Sequence, residues 1–328
     1  MYDGLSFTRL RAQFCVLKPF KLPFYTGSTF HGILGHSLAE VHFGLKKEQC
    51  TKCPSRSQCR YSALYEYFFN SPSDHPFIKD YCESIRKNQK NFPQPFIIEP
   101  PSGGVYLEGE HLYLIITLIG KAIEHLPFMT CALFLMNKYK FGGVENCISL
   151  ESITDDLSPD DSLIYDGKID NFIGHAMVYN FNKVKESLLS ILKTEQYVNK
   201  IQIRFLSPFR YKQENRLGKP IDFKIFISRI FDRLNLLSVH SPLDTPIDSK
   251  SYIADSNSIE VRQSNIQWFD WKRYSCRQDE YMKFGGYIGD IKFTGELNPF
   301  LPYIKMAEYL HVGKQTSFGL GKFKMMIL

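Results

Sequence analysis

The chain has 328 residues, of which 44% are hydrophobic, and its 40 Lys and Arg against 34 Asp and Glu give a formal net charge of +6. This composition is typical of a folded protein with a sizeable core and excludes a disordered chain. The best apolar run, Leu112 to Ile119, is far shorter than the roughly 20 residues of a membrane-spanning helix, and the N-terminus lacks the apolar core of a signal peptide. We therefore expect a cytoplasmic protein with no membrane partner.

The first half of the sequence predicts a strand, a helix, further strands and a second helix. Alternating apolar residues from Leu5 to Val16 predict the first strand. Apolar residues at helical spacing follow, and Ser28 or Thr29 can cap that helix. The later elements of this half are a strand at Leu112 to Ile119, a helix from Leu126 to Asn137 and an acidic surface loop from Ile153 to Ser162.

In the second half the same pattern of elements starts again after a helix at Lys183 to Lys193. Each half has the strand, helix, strands, helix and strand order of a split βαβ unit. The predicted fold class is α+β, with two tandem ferredoxin-like (RRM-like) domains at residues 1–195 and 196–328 and a Cys-rich insertion in the first. The elements of the second domain are a strand at Lys200 to Phe205, a helix at Asp222 to Leu237, a hairpin at Ile266 to Tyr274 and Tyr287 to Thr294, and a helix at Pro299 to Tyr309.

Positive charge is concentrated in the second domain. Up to residue 195 the chain has 20 basic and 21 acidic residues, whereas after it there are 20 basic and 13 acidic residues. Clustered Lys and Arg attract phosphate backbones through counterion release, so the asymmetry favours a polyanion-facing surface. A solvated charged face would give the same distribution.

A glycine-rich segment precedes the last predicted strand. Gly313, Gly319 and Gly321 permit positive φ, and backbone amides exposed in this way can cradle phosphate. Lys314 and Lys322 stand beside these glycines. Neither a Gly-Lys-Ser nor a Gly-Lys-Thr occurs, which disfavours ATP binding. Taken alone, such a segment is more often a simple bend before a strand.

Both halves also carry a resemblance to a known family. The C-terminal stretch is GGYIGDIKFTGELNPFLPYIKMAEYLHVGKQTSFGLGKFKM (Gly285 to Met325), and it resembles the C-terminal signature of the CRISPR-associated endoribonucleases of the RAMP superfamily that process precursor RNA. The first half looks like the same branch in its segments STFHGILGHSL, CTKCPSRSQCRYSALYEYFF and QPFIIEPP. The resemblance implies two ferredoxin-like domains and RNA bound across the face to which the glycine-rich segment contributes.

The resemblance implies a metal-independent endoribonuclease that cuts CRISPR precursor RNA within its repeats. The 2′-hydroxyl beside the scissile phosphate would be the nucleophile, and a 2′,3′-cyclic phosphate and a mature guide RNA would be the products. The same superfamily includes catalytically silent subunits that hold guide RNA in a CRISPR effector complex, which is the alternative function. A third hypothesis is a metal-stapled protein-interaction domain without an RNA role.

Three histidines are candidates for the proton transfers of this reaction, because imidazole titrates near neutral pH. His31 and His36 lie on or near the first predicted helix, where the resemblance implies a catalytic histidine, and His311 begins the glycine-rich segment. Five residues of helix separate two side chains by about 140°, so at most one of the first two is expected to be catalytic. An ordinary hydrogen-bonded histidine is the alternative at each position.

Basic residues of the second domain are candidates for holding the RNA backbone, and aromatic residues are interleaved with them in a way that suits base stacking. Half of the aromatic residues are expected in the core, because side chains alternate along a strand. The basic candidates are Arg204, Arg210, Lys212, Arg273 and Arg277, and the aromatic residues are Phe209, Tyr211, Trp268, Trp271 and Tyr274.

A cysteine cluster in the first domain has metal-ligand spacing. Cys50, Cys53 and Cys59 form C-x2-C-x5-C, which suits a structural zinc ion or an iron-sulfur cluster. Cys82, His42 or a residue from elsewhere in the chain can complete the site. Free reduced thiols and a redox or catalytic role are the alternatives, and no cofactor is expected for catalysis. The other cysteines are interpreted as core residues: Cys15, Cys131, Cys147 and Cys276.

Overall fold

The structure is a computed structural model that describes residues 4–44, 59–66, 93–192, 197–211, 220–241, 249–275 and 280–328, with the side chains of 66 and 271–284 excepted. The described residues form two compact units, one of residues 3–180 with 237–246 and one of residues 181–236 with 247–328. The helix that follows residue 180 groups with the second unit. The domain boundary proposed after residue 195 stays a prediction.

The first unit contains a six-stranded antiparallel sheet with strand order β3-β5-β1-β6-β7-β8, and a small sheet of β2 and β4. The first four strands of that order, with α1 and α2, have the arrangement of a ferredoxin-like domain, so this part of the prediction is confirmed. The elements are β1 (Phe7–Val16), β2 (Phe20–Leu22), α1 (Gly27–Phe43), β3 (Phe96–Glu99), β4 (Gly104–Tyr106), β5 (His111–Ile119), α2 (Leu126–Leu135), β6 (Ile148–Asp155), β7 (Leu163–Asp166) and β8 (Asn171–Phe172).

Alternation along β1 sorts its side chains between two faces of the sheet. Leu10, Phe14 and Val16 are buried in the core cluster that also contains residues of α1 and α2. Gln13 and Cys15 lie on the face away from this core and are partly exposed. The interpretation of Cys15 as a core residue is therefore wrong, because an odd-numbered residue of β1 cannot face the same side as its even-numbered neighbours.

Two sequence predictions for this unit are wrong in detail. Neither Ser28 nor Thr29 caps α1, because the N-cap position is Thr26, whose hydroxyl donates to the carbonyl of Pro101 instead of to the helix. The acidic segment is also not wholly an exposed loop. β6 extends to Asp155, and the next carboxylate, Asp156, forms ion pairs of 2.9 Å with Arg9 and 2.6 Å with Arg11.

The second unit has a four-stranded antiparallel sheet with strand order β10-β11-β9-β12, which again matches a ferredoxin-like domain and confirms the predicted fold class. β9 pairs with β11 only as far as Phe209 and Tyr287, whereas β10 and β11 continue as a two-stranded ribbon. The elements are α3 (Phe181–Ile191), β9 (Lys200–Phe209), α4 (Phe223–Leu237), α5 (Lys250–Asp255), β10 (Glu260–Ser275), β11 (Glu280–Thr294), α6 (Leu301–Leu310) and β12 (Phe323–Ile327).

In the core of the second unit Phe205 and Phe209 stack on each other, and the ring of Phe226 packs edge-on against both. Short helical turns complete the two units. Across the described ranges, none of the helices combines the length and apolar character that crossing a bilayer requires. The turns are Ser62–Glu66, Gly120–His125, Met136–Lys138, Ser238–His240, Ser256–Ser258, Asn298–Phe300 and Thr316–Phe318.

Candidate active site and glycine-rich loop

His31 lies on the buried side of α1, where it is 5% exposed. Its Nε2 is 2.9 Å from Oε1 of Gln94, its Nδ1 is 3.1 Å from the hydroxyl of Tyr65, and its ring stacks on Phe96. Gly35, one helical turn later, leaves the space that the Tyr65 ring occupies, since a Cβ there would lie 2.1 Å from that ring. Both ring nitrogens of His31 thus have protein partners, as in a histidine that holds a core together.

His36 lies on a different, exposed side of α1, at the centre of a polar cluster. Its ring stacks on that of Tyr139, with 6.0 Å between the ring centroids. The Tyr139 hydroxyl donates to Oε2 of Glu40 over 2.9 Å, and Lys138 Nζ lies 2.9 Å from Oε1 of the same carboxylate. His36 and Glu40 share one helix face, because they are four residues apart. An accessible imidazole and an ammonium group are therefore held in one cluster.

The protonation states of this cluster follow from its contacts. The pKa of Glu40 is lowered below its ordinary value, mainly by the hydrogen bond from Lys138. Burial, together with the hydrogen bond to Glu40, raises the pKa of Tyr139 far above its ordinary value. Near neutral pH the carboxylate is therefore charged and the phenol is a neutral donor. Imidazole is the side-chain type of this cluster that ordinarily titrates in that range.

His311 is fully buried at the start of the 311–322 connection between α6 and β12. Its backbone has a φ of 53°, and its Nδ1 is 3.1 Å from the carbonyl oxygen of Leu320. This contact spans the connection and brings its two ends together. An imidazole in this position is part of the loop framework, and the structure does not expose it to a ligand.

The glycines of this loop allow close backbone packing against the end of β9. Gly321 has a φ of 73°, and a Cβ there would lie 1.8 Å from the carbonyl oxygen of Val312. Gly313 has a φ of 98°, and a Cβ there would lie 2.5 Å from the carbonyl oxygen of Arg210. Gly319 also has a positive φ, of 90°, and its amide donates to Thr316. All three positions therefore have a positive φ, which glycine adopts without the strain that a Cβ would cause.

Most backbone amides of the loop donate to acceptors within the protein. The Lys314 amide donates to Arg210, the Gly321 amide to Pro208, and the Lys322 amide to the hydroxyl of Ser207. The amides of residues 318, 319 and 320 are also hydrogen-bonded inside the loop. The expectation that freed amides cradle phosphate is wrong for these residues, since their protons are already used. At these positions only the side chains remain for contacting an anion.

The basic candidates differ in exposure. Lys314 is exposed, and Lys322 is partly buried. Arg204 is exposed and forms an ion pair of 2.7 Å with Asp290 on the neighbouring strand, and Arg210 is partly buried, with Nη1 donating to the carbonyl of Gly285 over 3.1 Å. Lys212 and Arg277 lie outside the described residues, and Arg273 lies on β10 with its side chain outside them.

The aromatic candidates divide between core and surface. Phe209 and Tyr211 are buried and stack on each other, so they belong to the core of the second unit. Trp268 is 36% exposed and packs edge-on against Tyr287. The side chains of Trp271 and Tyr274 are outside the described residues.

The cysteine cluster is described at one of its three members. Cys59 is buried, its Sγ is 3.2 Å from Nε2 of His42, and Cys50 and Cys53 lie outside the described residues. Tetrahedral zinc would hold a sulfur and a nitrogen ligand about 3.6 Å apart, which is close to this separation. Of the cysteines interpreted as core residues, Cys147 is buried, Cys131 is exposed, and Cys276 is outside the described range.

Glu40, Lys138 and Tyr139 are not among the site residues predicted from the sequence. A signal for Glu40 was present, because it lies four residues after His36 on the predicted helix. Lys138 and Tyr139 are about a hundred residues further along the chain, and no local pattern links them to α1. The fold brings them together because α1 and α2 pack side by side and the 136–147 connection between α2 and β6 begins where α2 ends.

Two family models match the chain. One, described as an N-terminal domain and named AF_1859_N, matches residues 5–176, which is just over half of the chain. The other is the CRISPR-associated endoribonuclease Cas6, and it matches residues 203–323. That range includes most of β9, the ribbon of β10 and β11, and the glycine-rich loop. No curated protein matches the chain.

Solved structures share the fold along nearly the whole chain. Thermus thermophilus Cas6 has a TM-score of 0.53 at 16% identity, with 98% of this chain and 99% of that chain covered. A Cas6 product complex has a TM-score of 0.53 at 15% identity, with coverages of 98% and 100%. A partial Cas6-RT-Cas1–Cas2 complex has a TM-score of 0.58 at 16% identity, and this chain, covered to 99%, spans 46% of that chain's length. Residues 203–323 thus carry the domain of the CRISPR-associated endoribonuclease family Cas6, and the chain shares the fold of solved Cas6 structures along nearly its whole length.

Proposed function

We propose that this protein cuts CRISPR precursor RNA within its repeats, without a metal ion, and thereby produces mature guide RNA. The observation that carries the proposal is the exposed imidazole of His36 in the cluster with Tyr139, Glu40 and Lys138. Cleavage by the 2′-hydroxyl requires a group that transfers protons and a cation that stabilises the phosphorane. This cluster offers both on one surface of the first unit.

In the proposed reaction the 2′-oxygen attacks the adjacent phosphorus while its proton leaves to a base. The bond from phosphorus to the 5′-oxygen then breaks, and that oxygen takes up a proton, which leaves a 2′,3′-cyclic phosphate and a 5′-hydroxyl. His36 is assigned one of these proton transfers. The ammonium of Lys138, with its side chain 55% exposed, is assigned the charge on the non-bridging oxygens. Tyr139 positions the His36 ring by stacking.

The second unit is assigned the grip on the RNA. Lys314 and Lys322 belong to a loop whose backbone is held by hydrogen bonds within the loop and to residues 207–210. These bonds fix the backbone positions from which the two lysine side chains extend. Arg204 on β9 and Arg210, which directly follows that strand, are assigned further contacts with the RNA backbone. Arg273, Arg277 and Lys212 remain candidates for the same role. The buried imidazole of His311 is assigned to maintaining the loop, and His31 to the packing of α1.

A structural zinc site fits the cysteine cluster better than free thiols do. Cys59 Sγ lies 3.2 Å from Nε2 of His42, which belongs to the last turn of α1. With Cys50 and Cys53 they would form a Cys3His set, which is a closed structural type of site, whereas an iron-sulfur cluster takes mainly thiolates. Such a site would hold the Cys-rich insertion to α1 and would take no part in cleavage.

The test uses end-labelled repeat RNA from the host, incubated with purified protein in EDTA. We expect cleavage at one position, and no cleavage when that position carries a 2′-deoxyribose. Cleavage of the deoxy substrate would exclude the 2′-hydroxyl as nucleophile. Tight binding without cleavage of either substrate would instead identify a silent subunit that holds guide RNA, and a CRISPR effector complex would then be its expected partner.

A further inference from the structure

A second group of potential metal ligands lies in the first unit, on the face of its sheet away from the helices. Cys15 on β1, His111 on β5 and Glu151 on β6 contribute one donor atom each, and these atoms lie within 4.8 Å of one another. Nε2 of His111 and Oε2 of Glu151 are 2.9 Å apart. Cys15 and His111 are direct cross-strand partners. Three neighbouring strands therefore converge on one point.

A β-bulge directs Glu151 toward this point. The register of β1 with β6 pairs Gln13 with Ser152 and Phe14 with Leu150, so Glu151 is the additional residue between them. Bulges redirect side chains and recur beside functional sites. The Gly167 amide donates to the carbonyl of Glu151 over 2.8 Å, which fixes the bulge from β7.

The carboxylate of Glu151 is also oriented by a neighbouring side chain. Gln13 Nε2 donates to Oε2 of Glu151 over 3.0 Å. Metal-ligating carboxylates commonly have such a hydrogen-bonded partner, and its loss weakens metal binding. Gln13 and Cys15 project from the same face of β1, so the orienting group and a ligand come from one strand.

The charges around the group suit a cation. The Glu151 carboxylate lies beside the Cys15 thiol. A divalent cation between these groups would stabilise the thiolate form of Cys15. One thiolate and one carboxylate would then neutralise the two charges of the ion.

We propose that Cys15, His111 and Glu151 form a binding site for Zn²⁺ or a closely similar divalent cation. Sulfur, imidazole and carboxylate ligands together are typical of zinc, and three protein ligands leave the fourth tetrahedral position for water. Donor atoms in such a site are about 3.3 to 3.8 Å apart, so closing it takes side-chain shifts of about 1 Å. The ion would join β5, β1 and β6 on the face that the helices leave uncovered.

The experiment measures the binding of Co²⁺, a spectroscopic probe for Zn²⁺, to protein from which metal has been removed with EDTA. In wild-type protein we expect thiolate-to-cobalt absorption, which Zn²⁺ abolishes by displacement. Cys15→Ser is expected to bind one equivalent fewer than wild type, with the remaining equivalent assigned to the Cys59 cluster. Cys131→Ser is the matched control, because Cys131 is exposed and stands outside both groups. Unchanged stoichiometry in Cys15→Ser would overturn the proposal.

If Cys15→Ser fails to fold, two milder variants test whether this site binds a metal ion. Glu151→Gln keeps an acceptor for Gln13 but removes the charge, and its Co²⁺ affinity at this site should fall. Gln13→Ala removes the orienting donor and should weaken that affinity by about 10-fold or more. Affinity should also fall as pH decreases, because protons compete for the thiolate and the imidazole. Wild-type affinity in both variants would count against the site.

Discussion

The two ferredoxin-like units use the same connection in different ways. In each unit a segment joins the second helix to the fourth strand of the ferredoxin-like order, at 136–147 in the first and at 311–322 in the second. The 136–147 connection presents Lys138 and Tyr139 to the α1 residues Glu40 and His36. In the 311–322 connection, most backbone amides donate hydrogen bonds within the connection itself or to residues 207–210 at the end of β9. One duplicated topology thus supports a site made of side chains and a loop made rigid by its backbone.

The side-chain site of the first unit depends on the imidazole of His36. His36→Ala should slow single-turnover cleavage by about 10² to 10⁴, because it removes a proton-transfer group, which corresponds to about 3 to 5 kcal/mol of activation free energy. RNA affinity and the free energy of unfolding should change little, since His36 is exposed. His175→Ala, at another exposed histidine of this unit, is the control. An unchanged rate for His36→Ala would exclude the proposed site.

Each connection contains a glycine with a positive φ, and the two glycines differ in how closely other backbone packs against them. Gly321→Ala places a Cβ 1.8 Å from the Val312 carbonyl oxygen at a φ of 73°, so we expect a loss of about 3 kcal/mol in the free energy of unfolding and weaker RNA binding. Gly143→Ala has a φ of 89° but meets nothing within 4 Å, so about 1 kcal/mol is expected. Urea denaturation of both variants measures the difference. Equal losses would show that close backbone packing does not distinguish the two connections.

The third prediction separates the two histidines of α1. His31→Phe leaves the side chains of Gln94 and Tyr65 without their imidazole partner, so unfolding should require about 2 kcal/mol less free energy. Cleavage per folded molecule should stay at the wild-type rate. Denaturation and single-turnover rates in the same buffer provide the two readings. A rate as low as that of His36→Ala, at unchanged stability, would move the catalytic role to His31.

The sequence predicted the order of the main elements better than it predicted the site. Alternation in β1 and helical spacing in α1 are local patterns, so these elements followed directly from periodicity. His36 and Glu40 share a helix face by spacing alone, but Tyr139 joins them through packing that no local pattern encodes. The bulge at Glu151 arises from the pairing of β1 with β6, which local sequence patterns do not encode. The proximity of Glu151 to Cys15 could therefore not be predicted from the sequence either.

In the 311–322 connection, the side chain of Lys314 is expected to contact the RNA backbone. Lys314→Ala removes an exposed ammonium, while its amide still donates to the carbonyl of Arg210, so the loop should keep its structure. RNA binding should weaken similarly for all sequences, and the slope of log affinity against log salt should decrease by about 0.7 to 1. Lys168→Ala, at an exposed lysine of the first unit, should leave the slope unchanged. A wild-type slope in Lys314→Ala, together with lost binding in Gly321→Ala, would assign the phosphate contact to loop amides, and the contrast between the two connections would then fail.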